Sequence, residues 1–334
     1  MDGSASATDV ERLSGWFVAN VDEITPPLRL ERLGEFAAMV QDGAGRAWVV
    51  RRGGHDAARH HRVVCALAGG AVPVPAPAGF CADQSVIGAP FSVRQFVEGN
   101  VVASASDAAK LLDPEGRLAA GDGLVDALAA LGAVDVDRVG LGDLGPRQGY
   151  LAGQVARWRR RLETGQEASG RCLLLVHDLA GYIEARLPPE PAVPSLIHGN
   201  YRLDTVVLGD DGRVRAVLGW SGATLGDPLV DLGQLLAYWT DPGQENEALG
   251  VAPTAVAGFP GRREVALRYA EQSGRDLDRL SIYVGFAYWK LACILEEVHG
   301  RARAGGRADA AYLDELSHQV LRLAGSAREA LGGP

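Results

Sequence analysis

A chain of 334 residues suits one large domain or two lobes. Hydrophobic residues make up 47% and charged residues 22%, an ordinary globular balance that excludes disordered and collagen-like classes. The formal charge of −9 excludes the basic footprint of a nucleic-acid binder, and no apolar run approaches the roughly 20 residues of a membrane span.

Only two of the 33 basic residues are lysines, Lys110 and Lys290. Chemistry that needs a lysine in the first hundred residues is therefore excluded. Cys65, Cys81, Cys172 and Cys293 lie far apart and form no CxxC pair, which speaks against zinc or a disulfide framework. They are expected to be buried free thiols in a reducing cytoplasm. The polar, acidic start MDGSASATDVERL does not read as a signal peptide.

In chain order, Thr8 or Asp9 is expected to cap a helix reaching about Val18. Leu33 to Met39 and Ala47 to Arg51 read as strands around a turn at residues 42–45. Asp56 to Leu67 carries helical spacing, with Val63, Val64, Leu67 and Ala68 on its apolar side. Prolines 73, 75 and 77 force extended structure. Val86 to Val97 reads as a hairpin of two strands. Glu98-Gly99-Asn100 then breaks the pattern, so the lobes are drawn at 1–98 and 99–334, strand-rich first and helical second.

Helices are expected near 115–131, 149–164, 171–187, 228–240, 262–273, 279–303 and 310–330. Among them lies a β island. Leu196-Ile197 is apolar, and Thr205 to Leu208 and Val214 to Leu218 flank the turn Gly-Asp-Asp-Gly. Asp227-Pro228 supplies a helix start. The Arg-rich run 157–161 reads as a solvated helix face, and Trp220, Trp239 and Trp289 as core.

The island carries HGNYRLDT, then GWS, then GDPLVDL. It resembles the catalytic core of the aminoglycoside phosphotransferase and choline-kinase-like family, and most of all the branch related to the kinase-like domain attached to some acyl-CoA dehydrogenases. The family pattern is HGDxxxxN, DWE and GDPxxDL. SVIGAPFSVRQFVEG, AVPVP, LVDALAALGAVD, VGLGDLG and FPGRREVALRYAEQSGRDL also match in order, so the likeness covers about residues 25–300. It implies an α+β, two-lobed kinase-like fold with nucleotide bound under a hinge at Gln95, Phe96 and Val97.

Carried over position by position, the resemblance implies lost chemistry. Phosphoryl transfer needs metal clamps and a carboxylate that orients the attacking hydroxyl. The catalytic aspartate falls on Asn200, the magnesium asparagine on Thr205, and the metal-binding aspartate on Gly219. An amide does not take up a proton as a carboxylate does, and magnesium wants anionic oxygen. The phosphate loop falls on 33–40, where only Gly34 remains of its glycines. The phosphate-contacting basic residue falls on Arg51, its glutamate partner on His60, and the histidine of LHxxD on Gly132.

The expectation is a pseudokinase with no resident cofactor or metal and a cleft kept for a small-molecule ligand or protein partner, as a monomer or homodimer. His198, Asn200, Arg202 and Asp204 form the loop cluster. Arg51, His60 and the hinge residues are the nucleotide-site positions. One alternative is an enzyme of changed chemistry in the same cleft, serving bacterial specialised metabolism. Another is an atypical small-molecule phosphotransferase using Mg-ATP, its metal held by Asp204 and Thr205.

Overall fold

A computed structural model describes residues 7–34, 36–53, 55–246, 248–306 and 308–333. Helix α1 (Ala7–Asn20) precedes a five-stranded sheet of β1 (Arg29–Arg32), β2 (Ala37–Gln41), β3 (Ala47–Arg52), β4 (Pro77–Cys81) and β5 (Phe91–Gln95). The spatial order is β1-β2-β3-β5-β4, antiparallel wherever strands pair. Helix α2 (His55–Leu67) lies between β3 and β4 in sequence and packs against β4 and β5. The cap expected at Thr8 or Asp9 falls on side chains outside the described residues, as does Glu35 of the expected phosphate loop.

Period-two alternation divides this sheet into two faces. Trp48, Val50, Phe91 and Val93 point to one, where Leu13 and Phe17 of α1 close a small core. Val49, Arg51, Ser92 and Arg94 share the other face with α2.

The second part is helical: α3 (Ala105–Leu111), α4 (Pro114–Gly132), α5 (Tyr150–Ser169), α6 (Leu174–Glu184), α7 (Leu229–Tyr238), α8 (Arg262–Ser273), α9 (Leu280–Ala304) and α10 (Ala310–Ala330). Helix α9 packs against α5, α7 and α10 and forms the spine of the main core. Two small β pairs sit within it. β6 (Ser195–Ile197) pairs with β9 (Thr224–Gly226), and β7 (Val206–Leu208) pairs with β8 (Val214–Val217). Trp220, Trp239 and Trp289 are fully buried, and each indole N–H donates to a carbonyl, at Val217, Pro260 and Val176. In the Arg-rich run, Trp158 is buried beneath the Arg161 guanidinium, which also pairs with Glu297.

Several expectations need correction. Leu33 and Gly34 form a turn, not strand, because the N–H groups of both turn back to the Ala37 carbonyl. The hairpin expected within 86–97 does not form. Only 91–95 is strand, and it pairs with 77–81, because Gly88 closes a turn back to Gln84. Residues 203–205 make a 3-10 turn before β7. Helix α3 and strands β1 and β9 were not expected. Finally, Cys65 and Cys172 are exposed, while Cys81 and Cys293 are buried.

The two parts are latched through α2. Arg59 donates to the Ala223 carbonyl (2.8 Å from Nε) and to the Leu144 carbonyl (2.6 Å). Arg62 pairs with Asp143. The Val217 N–H donates to the Pro73 carbonyl, which docks the proline-rich segment against β8.

Candidate functional site

The loop 198–205 connects β6 to β7 and faces α2. Its shape is imposed by Asp231 of α7, whose buried carboxylate accepts the N–H groups of His198 (2.6 Å) and Gly199 (2.8 Å). Gly199 has φ +81°, and a Cβ there would stand 2.7 Å from the Gly222 carbonyl oxygen, so glycine is required. Burial pushes the Asp231 carboxyl up to about 6 against the pull of those two N–H groups and of Lys290.

His198 is fully buried between Tyr201 and Trp220, edge-on to both rings. Its Nε2–H donates to the Leu218 carbonyl (2.7 Å), and its Nδ1 accepts the Asn200 N–H (3.2 Å). Both nitrogens are therefore occupied in one neutral tautomer. Burial lowers its pKa to about 4. Nothing is left for acid–base work.

Asn200 is exposed at the mouth of the loop. Its Oδ1 accepts Nε2–H of buried Gln234 (3.0 Å), and Gln234 Oε1 accepts the Lys290 ammonium. This chain was not foreseen, and it fixes polarity. Lysine only donates, so Gln234 must offer it the oxygen and turn its amide N–H₂ to Asn200. Asn200 must then answer with Oδ1, which leaves Nδ2 for the cleft. A donor stands where the family pattern has a proton acceptor. Burial lowers Lys290 to about 8, with Asp231 opposing that shift.

The positions of the metal ligands are altered as well. Thr205 Oγ1 donates to the Arg202 carbonyl (2.7 Å) and accepts the Arg202 N–H (3.1 Å), closing the turn. Gly219 has φ +85°, a backbone that L side chains rarely adopt. Asp204 pairs with Arg202 (2.8 Å), whose guanidinium also lies 4.5 Å over the Tyr238 ring. Among the described residues no group of three or more His, Cys, Asp or Glu side chains is arranged to hold a metal. The donors present here do not fit magnesium: Gly219 has no side chain, the Thr205 hydroxyl is engaged, and the single carboxylate, Asp204, has Oδ2 held by Arg202 and only Oδ1 unpartnered.

Above the loop stand Arg51 on β3 and His60 on α2. His60 is 3% exposed, and its Nδ1 has no partner. Burial lowers it to about 3, helped by the charges of Arg51 and Arg94. Neutral His60 therefore cannot stand in for a glutamate beside Arg51. At the hinge, the Gln95 N–H donates to Ala76 and the Phe96 N–H to Ala47, so these two donors are spent inside the sheet; Val97 is half-buried. Phe36, in the turn before β2, is exposed and does not fill the cleft.

Sequence reasoning missed Gln234, Lys290, Ser92 and Arg94. A lone lysine inside the apolar run FAYWKLACIL was the available signal for the second. For the last two it was the alternation F-S-V-R-Q.

The model of the "Phosphotransferase enzyme family" matches residues 35–281. Acyl-CoA dehydrogenase family member 11 of Gallus gallus is 30% identical over 84% of this chain and 36% of its own length. The chain thus spans about a third of the length of that relative. A crystal structure from Ralstonia eutropha JMP134, assigned as an aminoglycoside phosphotransferase, superimposes with a TM-score of 0.83 at 28% identity, covering 96% of this chain and 98% of that one. Aminoglycoside phosphotransferase APH(4)-Ia, in a ternary complex with AMP-PNP and hygromycin B, has a TM-score of 0.61 at 17% identity over 95% and 98% of the chains, a likeness of fold alone.

Proposed function

Starting from a chain that belongs to the phosphotransferase enzyme family, we propose a member that keeps the kinase-like cleft for binding a small ligand and does not transfer phosphate from ATP. One observation carries this reading. The Lys290–Gln234–Asn200 chain turns an N–H donor to the cleft at the position where the family pattern places a proton-accepting carboxylate. An attacking hydroxyl needs an acceptor there. Thr205 and Gly219 support the same reading, because neither offers a free oxygen ligand. A changed enzyme chemistry centred on His198 is not favoured, since both its nitrogens are engaged.

The test is ADP release from Mg-ATP, alone and with hydroxyl-bearing acceptors such as aminoglycosides and choline. No release above buffer is expected. Sustained ADP release that Asn200→Ala abolishes would overturn the proposal.

A further inference from the structure

The upper wall of the cleft sets Ser92 and Arg94, which the family pattern does not use, beside Arg51 and His60, which stand at its phosphate-contacting and glutamate positions. In the β3–β5 register Arg51 lies opposite Ser92, and Val49 opposite Arg94. Directly opposite side chains share a face, as do residues two apart on a strand. Arg51 and Arg94 are therefore diagonal neighbours, with Ser92 between them and α2 above.

Three buried polar atoms on this wall have no partner: His60 Nδ1, Ser92 Oγ and Arg94 Nε. Ser92 and His60 are each 3% exposed. Buried polar atoms of this kind are rare and costly, and water or a ligand usually answers them. The two guanidinium groups also act on one another, since burial and the Arg51 charge together lower Arg94 to about 10. Arg94 still carries its charge at neutral pH. Among the described residues no carboxylate pairs with Arg51 or Arg94. Two cations and two neutral donors on one sheltered face lack a negative acceptor.

Position narrows the class of ligand. Arg94 is one residue before the hinge, at the end of the cleft where the resemblance places a nucleotide's base. A purine base is uncharged and would leave Arg94 unanswered, even with a nucleotide's phosphate on Arg51. A phosphate or carboxylate accepts from both, and Ser92 and neutral His60 can donate to it as well.

We infer that Arg51, Ser92, Arg94 and His60 form a binding site for a small anionic group, phosphate or carboxylate, that enters the cleft at its hinge end. This deepens the reading of the cleft as a non-catalytic ligand site and rests on it.

The test uses thermal melts of the full chain in low-salt buffer, titrated with inorganic phosphate or with acetate. Potassium chloride at matched ionic strength is the control. Phosphate or acetate raises Tm saturably while chloride does not, and the better of the two identifies the headgroup class. Arg94→Met, and Arg94→Gln as a more polar replacement, weaken the midpoint by about tenfold or more, as expected for loss of one charge-assisted contact. Without added anion both variants melt at or above the parent, because one of two repelling cations is gone.

The inference is overturned if neither anion moves Tm beyond chloride, if both variants keep the parental response, or if both melt well below the parent without anion. ATP turnover alongside an intact phosphate response would refute the non-catalytic reading and leave the anion site standing. Absence of turnover with no response to either anion would refute the anion site alone.

Discussion

Below the cleft, loop 198–205 answers most of its polar groups from within: His198 uses both ring nitrogens, Thr205 closes its own turn, and Asn200 is held through Gln234 by Lys290. Above it, the inner face of the sheet leaves His60, Ser92 and Arg94 with unanswered atoms. On the lower wall Arg202 Nε and Asp204 Oδ1, the unpaired atoms of one ion pair, are also in that condition. The contrast separates scaffold from site. A self-satisfied loop keeps the architecture of phosphotransfer, whereas an unsatisfied wall is built for something that arrives.

The largest effect should come from the keystone of the lower wall. Asp231→Ala leaves two backbone N–H groups and the Lys290 charge without a carboxylate, and should cost about 3–5 kcal/mol in urea unfolding. A loss below about 1 kcal/mol would mean that the loop holds its shape without it.

Acid should act through the histidines on both walls. An unfolded histidine takes up a proton near 6.5, whereas folded His60 and His198 resist until about 3 and about 4. The unfolded state therefore binds more protons in that window, and stability falls as pH drops below 6.5. Asp231 works the other way between 3.8 and about 6, because its folded form takes up the proton first. His60, which faces Arg51, Arg94, His61 and His198, contributes about 1.4 kcal/mol per pH unit between roughly pH 5.5 and 4. His60→Gln should remove that share of the slope, read as urea midpoints against pH. An unchanged slope would show that His60 is protonated in the fold.

The latch between the parts comes next. Arg59→Met removes charged hydrogen bonds to Ala223 and Leu144 and should cost about 1.5–3 kcal/mol, with faster amide exchange in α2. Unaltered exchange would show that the hydrophobic contact of α2 suffices. The smallest effect belongs to Asn200→Asp. A carboxylate still accepts from Gln234, and the position is exposed, so stability should move by less than about 1 kcal/mol with no ATP turnover gained.

Much of this was legible in the chain. Helices α8 and α10 fall where periodicity places them, and ordered motifs over most of the length carry the fold. What was lost follows from physics that is not local. β9 is three residues long and exists only because β6 lies beside it. Residues 86–90 look strand-like, yet Gly88 closes a turn back to Gln84. In the site, Asn200, Thr205 and Gly219 were readable because the motif is linear. The polarity of Asn200 was not, because it is set by Gln234 and Lys290, 34 and 90 positions away. Ser92 and Arg94 pass for a solvent-facing edge until β3 and β4 are placed on either side of β5.

Manganese binding tests whether loop 198–205 holds a metal–nucleotide site. Mn²⁺, a paramagnetic stand-in for magnesium, is titrated into the full chain with ADP present, and free ion is followed by electron paramagnetic resonance. The same free-Mn²⁺ signal as with ADP alone is expected for the parent and for Asp204→Ala. A protein-dependent loss of that signal, removed by Asp204→Ala, would show that the loop does hold such a site.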